Sequence, residues 1–279
     1  MQMFSSFQCQ SSDLSGDTTL ETLLTSDRFV FSAELMLLHP HAASLMKAAT
    51  RAAQQVKIVQ MSDRLLPHSR LSSWVATQHL QQLGLDAIVE LSLQRPDLSA
   101  QLSWLAKAQI RNILVSDGFP NHHCSDQAAR MIAEIARFRE ADFCIGALEV
   151  PCLSSEIPKS MARLTAKIDS GAQFIQVRSL LNLEAMDQWM AAVRSHQLHQ
   201  RAHFMVSILP FNSLEQLRFL QSGLGHSLGS MKFGQPESNL QRLQDLITQT
   251  CAIEGVRGIH LRLNNLNTLH QIDRFNAAS

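Results

Sequence analysis

The chemistry this chain could carry rests on a few polar residues that end apolar runs. The clearest is Glu34, which closes Phe29-Val30-Phe31-Ser32-Ala33-Glu34. A carboxyl in that position is partly desolvated, and desolvation pushes its pKa up toward the range of a general acid. The plainer reading is a glutamate held by a nearby lysine or arginine. Asn112-Ile-Leu-Val-Ser-Asp117-Gly118-Phe-Pro120 is a second such run, where the glycine permits close backbone approach to a ligand. Its plainer reading is an ordinary Asp-Gly turn. The same rule, a polar group at the carboxyl end of an apolar run, adds Asp63, Glu90, Glu149, Gln176, Arg178, Ser207 and Asn264.

Metal chemistry is not expected. His122-His123-Cys124 and His39-Pro40-His41 put ligand types side by side, but adjacent residues rarely bind one ion together, and no further ligand follows at a helical spacing. The five cysteines are scattered and form no CxxC pair, which suggests reduced thiols and a cytoplasmic protein. The methionines that fall on apolar faces read as core filler.

The elements that must position these groups alternate. Short apolar runs at Arg28–Glu34, Val56–Met61, Ala87–Leu93, Asn112–Ser116, Phe143–Val150, Phe174–Arg178, His203–Leu209 and Gly258–Leu263 predict strands. Amphipathic stretches between them predict helices at His41–Gln55, Ser69–Leu83, Leu98–Ala108, Ser125–Glu140, Lys159–Ser170, Leu183–His196 and Ser213–Gln221. Gly84 and Gly171 stand where helices close, as left-handed caps. Eight such units predict one closed (β/α)8 barrel, in which reacting groups sit at the carboxyl ends of the strands. An open doubly wound sheet is the alternative, but no G-x-G-x-x-G follows the first strand.

The expected organisation is a polar N-terminal segment over 1–25 and a barrel over 26–279. An extra loop, Gly223–Asn239, and a helix, Leu240–Thr250, lie between the seventh and eighth strands. The chain has 279 residues, close to the roughly 250 usual for such a barrel. With 45% hydrophobic residues it can build a large core, and its 24 basic and 24 acidic side chains cancel. That neutrality argues against nucleic acid or an anionic membrane as partner. No apolar run reaches the roughly 20 residues of a membrane span, and Met1–Thr25 reads as neither a secretory signal nor a transit peptide.

One segment carries a resemblance. Ala166-Lys167-Ile168-Asp169-Ser170-Gly171-Ala172-Gln173-Phe174-Ile175-Gln176-Val177 is similar to the "KVDAGADFIQTQ" segment of the methylenetetrahydrofolate reductase family. Phe29–Glu34 resembles that family's first barrel strand, Ala108–Val115 its "GIRNILAL", Ile208-Leu209-Pro210 its "GILP", and Gly258-Ile259-His260-Leu261 its "GVHFYT". The similarities are collinear from about Arg28 to Asn267.

The resemblance implies a (β/α)8 barrel that reduces 5,10-methylenetetrahydrofolate to 5-methyltetrahydrofolate with hydride from NAD(P)H, usually through bound FAD. It implies Glu34 as general acid and Lys167, Asp117 and Glu90 at the cofactor. Gln176, Arg178 and Asp117 then stand at the folate or related reduced pterin. It leaves open a homo- or hetero-oligomer. Several family positions are altered: Leu148 stands for a tyrosine, Glu90 for a histidine and Arg178 for a glutamine, while Asp117 comes one residue early. Together these imply that FAD is bound differently or is absent. Arginine cannot accept a hydrogen bond, so Arg178 changes both charge and bonding sense at the pterin. Two other functions follow from the same departures: a barrel that binds a pterin or serves as a partner subunit without catalysis, or a methyltransferase acting on methyltetrahydrofolate.

Overall fold

The computed structural model describes residues 19–26, 28–35, 56–61, 73–93, 97–116, 125–151, 154–178, 183–208 and 236–263. Eight parallel strands form a closed barrel in chain order: β1 Val30–Leu35, β2 Ile58–Met61, β3 Asp86–Ser92, β4 Asn112–Ser116, β5 Cys144–Glu149, β6 Phe174–Val177, β7 His203–Ile208 and β8 Val256–Leu263. The circle closes where β1 pairs with β8, with Ser32 opposite His260 and Glu34 opposite Arg262. Each expected strand is present, displaced at its ends by at most two residues.

Seven helices are described: α1 Leu20–Thr25, α2 Ser73–Gln82, α3 Leu98–Lys107, α4 Ser125–Ala136, α5 Ile157–Asp169, α6 Leu183–Ser195 and α7 Pro236–Cys251. Helix α4 stops four residues before its expected end at Glu140, where the chain turns and Phe138 stacks against Phe143 at 5.8 Å. Helix α7 starts earlier than expected, at Pro236, since proline is well tolerated at a first helical position. Gly84 and Gly171 take φ of 77° and 116° and close α2 and α5 as left-handed caps. The expected helices His41–Gln55 and Ser213–Gln221 lie outside the described residues, as does most of the Gly223–Asn239 insertion.

Side chains alternate across each strand, so one parity faces the barrel axis and the other faces the helices. At the amino-terminal end the inward parity is apolar: Val30, Ile58, Ile88, Leu114, Cys144, Phe174 and Met205 pack together. Gly146 leaves room for this packing, because a Cβ there would lie 2.1 Å from the Phe174 ring. Helix α1 plugs the same end with Leu20 and Leu24, which are 0% and 4% exposed. Burying a leucine contributes about 1.5–3 kcal/mol. Asp86 ties the plug down, accepting from Leu20 N at 2.5 Å and from Asn112 Nδ2 at 2.7 Å. The barrel floor is therefore closed and apolar, and polar chemistry is left to the opposite end.

Candidate functional site at the carboxyl end of the barrel

Moving up the inward parity, the side chains turn polar on every strand but β5, which presents Leu148. Ser32 and Glu34 come from β1, Gln60 from β2, Glu90 from β3, Ser116 from β4, Gln176 from β6, Ser207 from β7, and His260 with Arg262 from β8. All except Arg262 are buried. Their convergence follows from strand parity and from the register that closes the barrel. Of the residues expected from the sequence, the structure thus brings together Glu34, Glu90, Gln176 and Ser207. Arg178 follows β6 at the mouth, half-buried, its amide donating to Glu149 O at 2.8 Å. Asp63, Asp117 and Asn264 lie outside the described residues, as do His39–His41 and His122–Cys124.

Glu34 is the electrostatic centre. Arg262 Nε donates to its Oε2 at 2.5 Å, and His260 Nε2 stands 3.8 Å from the same oxygen, beyond hydrogen-bond reach. The other ring nitrogen, His260 Nδ1, lies 2.8 Å from Ser32 Oγ, a hydrogen bond that fixes the imidazole plane. Burial alone pushes the Glu34 pKa up, as its strand-end position suggested. The neighbouring His260 and the Arg262 guanidinium outweigh burial and hold the carboxyl well below the usual range. The expected raised pKa is thus reversed, because Arg262 is the partner that the plainer sequence reading required. Glu34 in turn keeps the Arg262 guanidinium charged against its own burial.

Glu90 accepts weakly from Gln60 Nε2 at 3.5 Å. Three buried polar atoms of this layer have no hydrogen-bond partner among the described residues: Gln60 Oε1, Ser207 Oγ and His260 Nε2. A buried polar atom without a partner costs about 1–3 kcal/mol, so each of these three calls for a partner beyond the described residues, a water or a bound polar molecule.

Lys167 and Glu149 occupy a different place. Glu149 has the parity of Ile145 and Ala147 and faces the helices. Its Oε2 accepts from Lys167 Nζ at 2.9 Å, and its Oε1 accepts from Arg163 Nη2 at 2.9 Å and Ser160 Oγ at 3.2 Å. Lys167 Nζ also donates to Leu148 O at 2.7 Å and is 1% exposed. An ammonium spent in this way on the helix side does not fit a flavin phosphate at the barrel mouth. Among the described residues no group of three or more His, Cys, Asp or Glu is placed to hold a metal ion. Among them, too, no helix is long and apolar enough to cross a membrane.

His260 and Arg262 were not among the candidates drawn from the sequence. The signal was present in Gly258-Ile259-His260-Leu261-Arg262, where polar residues alternate with apolar ones on a strand that otherwise belongs to the core.

The family model for methylenetetrahydrofolate reductase matches residues 19–271. No curated protein matches the chain in sequence. Among solved structures, the chain is similar to an uncharacterized protein from Clostridium thermocellum that binds two copies of 5-methyl-5,6,7,8-tetrahydrofolic acid. The TM-score is 0.65 at 10% identity, covering 93% of this chain and 99% of that one. It is also similar to a 2,3-dimethylmalate lyase of the PEP mutase/isocitrate lyase superfamily (TM-score 0.57, 11% identity, 92% and 81% covered). An oxaloacetate acetylhydrolase is similar to the same degree (TM-score 0.57, 14% identity, 95% and 86% covered). At these identities the likeness to solved structures is one of fold.

Proposed function

The chain belongs to the methylenetetrahydrofolate reductase family, and from that premise we propose that it binds a reduced folate in the polar carboxyl end of its barrel and reduces the 5,10-methylene bridge to a 5-methyl group. The observation that carries the reading is the set of buried atoms Gln60 Oε1, Ser207 Oγ and His260 Nε2, which have no hydrogen-bond partner among the described residues and lie on strands β2, β7 and β8, with Gln60 opposite Glu34 and Ser207 opposite His260 in register. A pterin ring offers hydrogen-bond donors and acceptors to such a cluster, while Glu90, Gln176 and Arg178 complete its surroundings.

The reaction balances with few protein groups. The bond from the bridging carbon to N10 breaks, its electron pair stays on N10, and N10 takes a proton. The remaining N5-methylene iminium cation accepts a hydride from NADH or NADPH and becomes N5-methyl. Glu34, held as an anion, stabilises that cation. Opposite charges about 4 Å apart at an effective dielectric near 20 attract by about 4 kcal/mol, an upper bound here because the Arg262 guanidinium bonded to the same carboxylate repels the cation. The proton comes from a group other than Glu34. FAD is the family's usual hydride relay. With Lys167 committed to Glu149, no step is assigned to it here. We assign the reaction to the cytoplasm, in keeping with five scattered cysteines that form no CxxC pair.

Purified protein is expected to oxidise NADH or NADPH only when 5,10-methylenetetrahydrofolate is present. A second reading is favoured by the Arg262–Glu34 pair, which denies the family's acid its proton: a folate-binding barrel without turnover. Calorimetric titration with 5-methyltetrahydrofolate separates the two. Binding with turnover supports the reductase, binding alone supports the second reading, and absence of both sinks the folate assignment.

A further inference from the structure

We propose that Arg262 is a positioning residue that fixes Glu34 as a carboxylate, so that Glu34 meets its ligand as an anion and never as a proton donor. The nature of the ligand rests on the folate reading, but the charge assignment stands on geometry alone.

Glu34 is 3% exposed and would, without a cation, be a poor place for a charge. Each element beside it contributes differently. Strand β8 supplies the Arg262 guanidinium at 2.5 Å and the His260 imidazole at 3.8 Å. Strand β2 supplies the neutral Gln60, opposite Glu34 in register. The next strand, β3, supplies Glu90, a second carboxyl that also lies in the field of Arg262. Only Arg262 brings a permanent positive charge among these, because a guanidinium does not give up its proton in proteins. Its side chain is 21% exposed against 3% for Glu34, so the guanidinium reaches from the buried carboxylate toward the barrel mouth. Lysine at the same position would keep the charge, whereas methionine would keep much of the length and remove it.

The test is the protonation state of one carboxyl, read in the full-length protein by infrared difference spectra with Glu34→Gln as the reference. At about pH 5, close to the ordinary carboxyl range, wild type and Arg262→Lys are expected to show no band from a protonated Glu34. Arg262→Met is expected to show one, and to lose it when Glu34→Gln is added. Turnover should follow the same pattern: the pH profile of Arg262→Met gains an ionisation that Arg262→Lys lacks. A protonated Glu34 in wild type at about pH 5 overturns the proposal, and so does a folded Arg262→Met whose Glu34 stays ionised. If Arg262→Met does not fold, the wild-type spectrum decides alone. Titration of wild type with 5-methyltetrahydrofolate is run beside these spectra. A protein that binds none while Glu34 stays ionised loses the folate reading and keeps the charge assignment.

Discussion

Lys167 Nζ lies 2.9 Å from Glu149 Oε2, and their side chains are 1% and 2% exposed. Arg163 Nη2 and Ser160 Oγ satisfy the other oxygen, and Trp189 Nε1 donates to Ser160 Oγ at 3.0 Å, joining α6 to the same network. Removing one partner of a buried pair leaves a charge uncompensated, at a typical cost of about 3–5 kcal/mol. Because Arg163 remains, Lys167→Met should lie near the lower end, about 3 kcal/mol in urea unfolding. Adding Glu149→Leu should recover part of that loss. Ligand affinity of the folded variant should be unchanged. A Lys167→Met protein of full stability but weakened cofactor or ligand binding would contradict this placement.

Acid stability should depend on Glu34. Its pKa in the fold lies below its ordinary 4.5. A carboxyl lowered by folding contributes stability above its unfolded pKa and loses that contribution as pH falls through the folded pKa. Near neutral pH, Glu34→Gln should cost about 3 kcal/mol, since Arg262 then loses its partner. The gap between wild type and variant should narrow as the solution is acidified from about pH 5 to about pH 3. Chemical unfolding at a series of pH values reads this, and a gap that stays constant over that range would show that Arg262 does not hold the carboxyl.

How far the sequence revealed this molecule depends on how local each signal is. The strand at Phe174–Val177 and the caps at Gly84 and Gly171 depend on neighbouring residues, so they were legible. Glu34, Glu90 and Gln176 were found because a strand end places a group at the barrel mouth whatever its partner. The same rule selected Glu149, which faces the helices; only parity against Leu148 and Gly146 distinguishes the two faces. Arg262 and His260 meet the β1 residues Glu34 and Ser32 across 228 positions of sequence, at the seam that closes the barrel. Nothing local to Glu34 announces that partner, so the direction of its pKa shift could not be read in advance. The plug helix was hidden for a similar reason. Leu20 and Leu24 sit in a polar stretch, and their burial follows from the apolar layer at the amino-terminal end of the barrel, against which they dock.

That plug supplies a third expectation. Leu20 is fully buried against the inward apolar layer, and its amide also donates to Asp86. Truncating a buried leucine to alanine costs about 2–5 kcal/mol, according to how far the surroundings can collapse. The barrel floor is formed by strands locked in a closed ring, so little collapse is expected, and Leu20→Ala should fall in the upper half of that range. Exposed Glu21→Ala, on the same helix, should change stability by less than about 0.5 kcal/mol. Equal effects of the two substitutions would mean that α1 does not dock as described.

Ser207 offers the sharpest separation of folding from binding. The residue is 1% exposed and its buried hydroxyl has no hydrogen-bond partner among the described residues, so without a partner it contributes a desolvation cost. Ser207→Ala removes the hydroxyl and leaves a void of little more than one atom. The ligand-free variant should be as stable as wild type, or more stable by about 1 kcal/mol. If a pterin hydrogen-bonds this hydroxyl, the same variant should bind 5-methyltetrahydrofolate about tenfold more weakly, since about 1.4 kcal/mol is one factor of ten. Stability and affinity then move in opposite directions, which is the pattern of a group retained for its ligand. A variant that loses stability without losing affinity would instead make Ser207 part of the fold, and the polar layer would have to find its ligand contacts elsewhere.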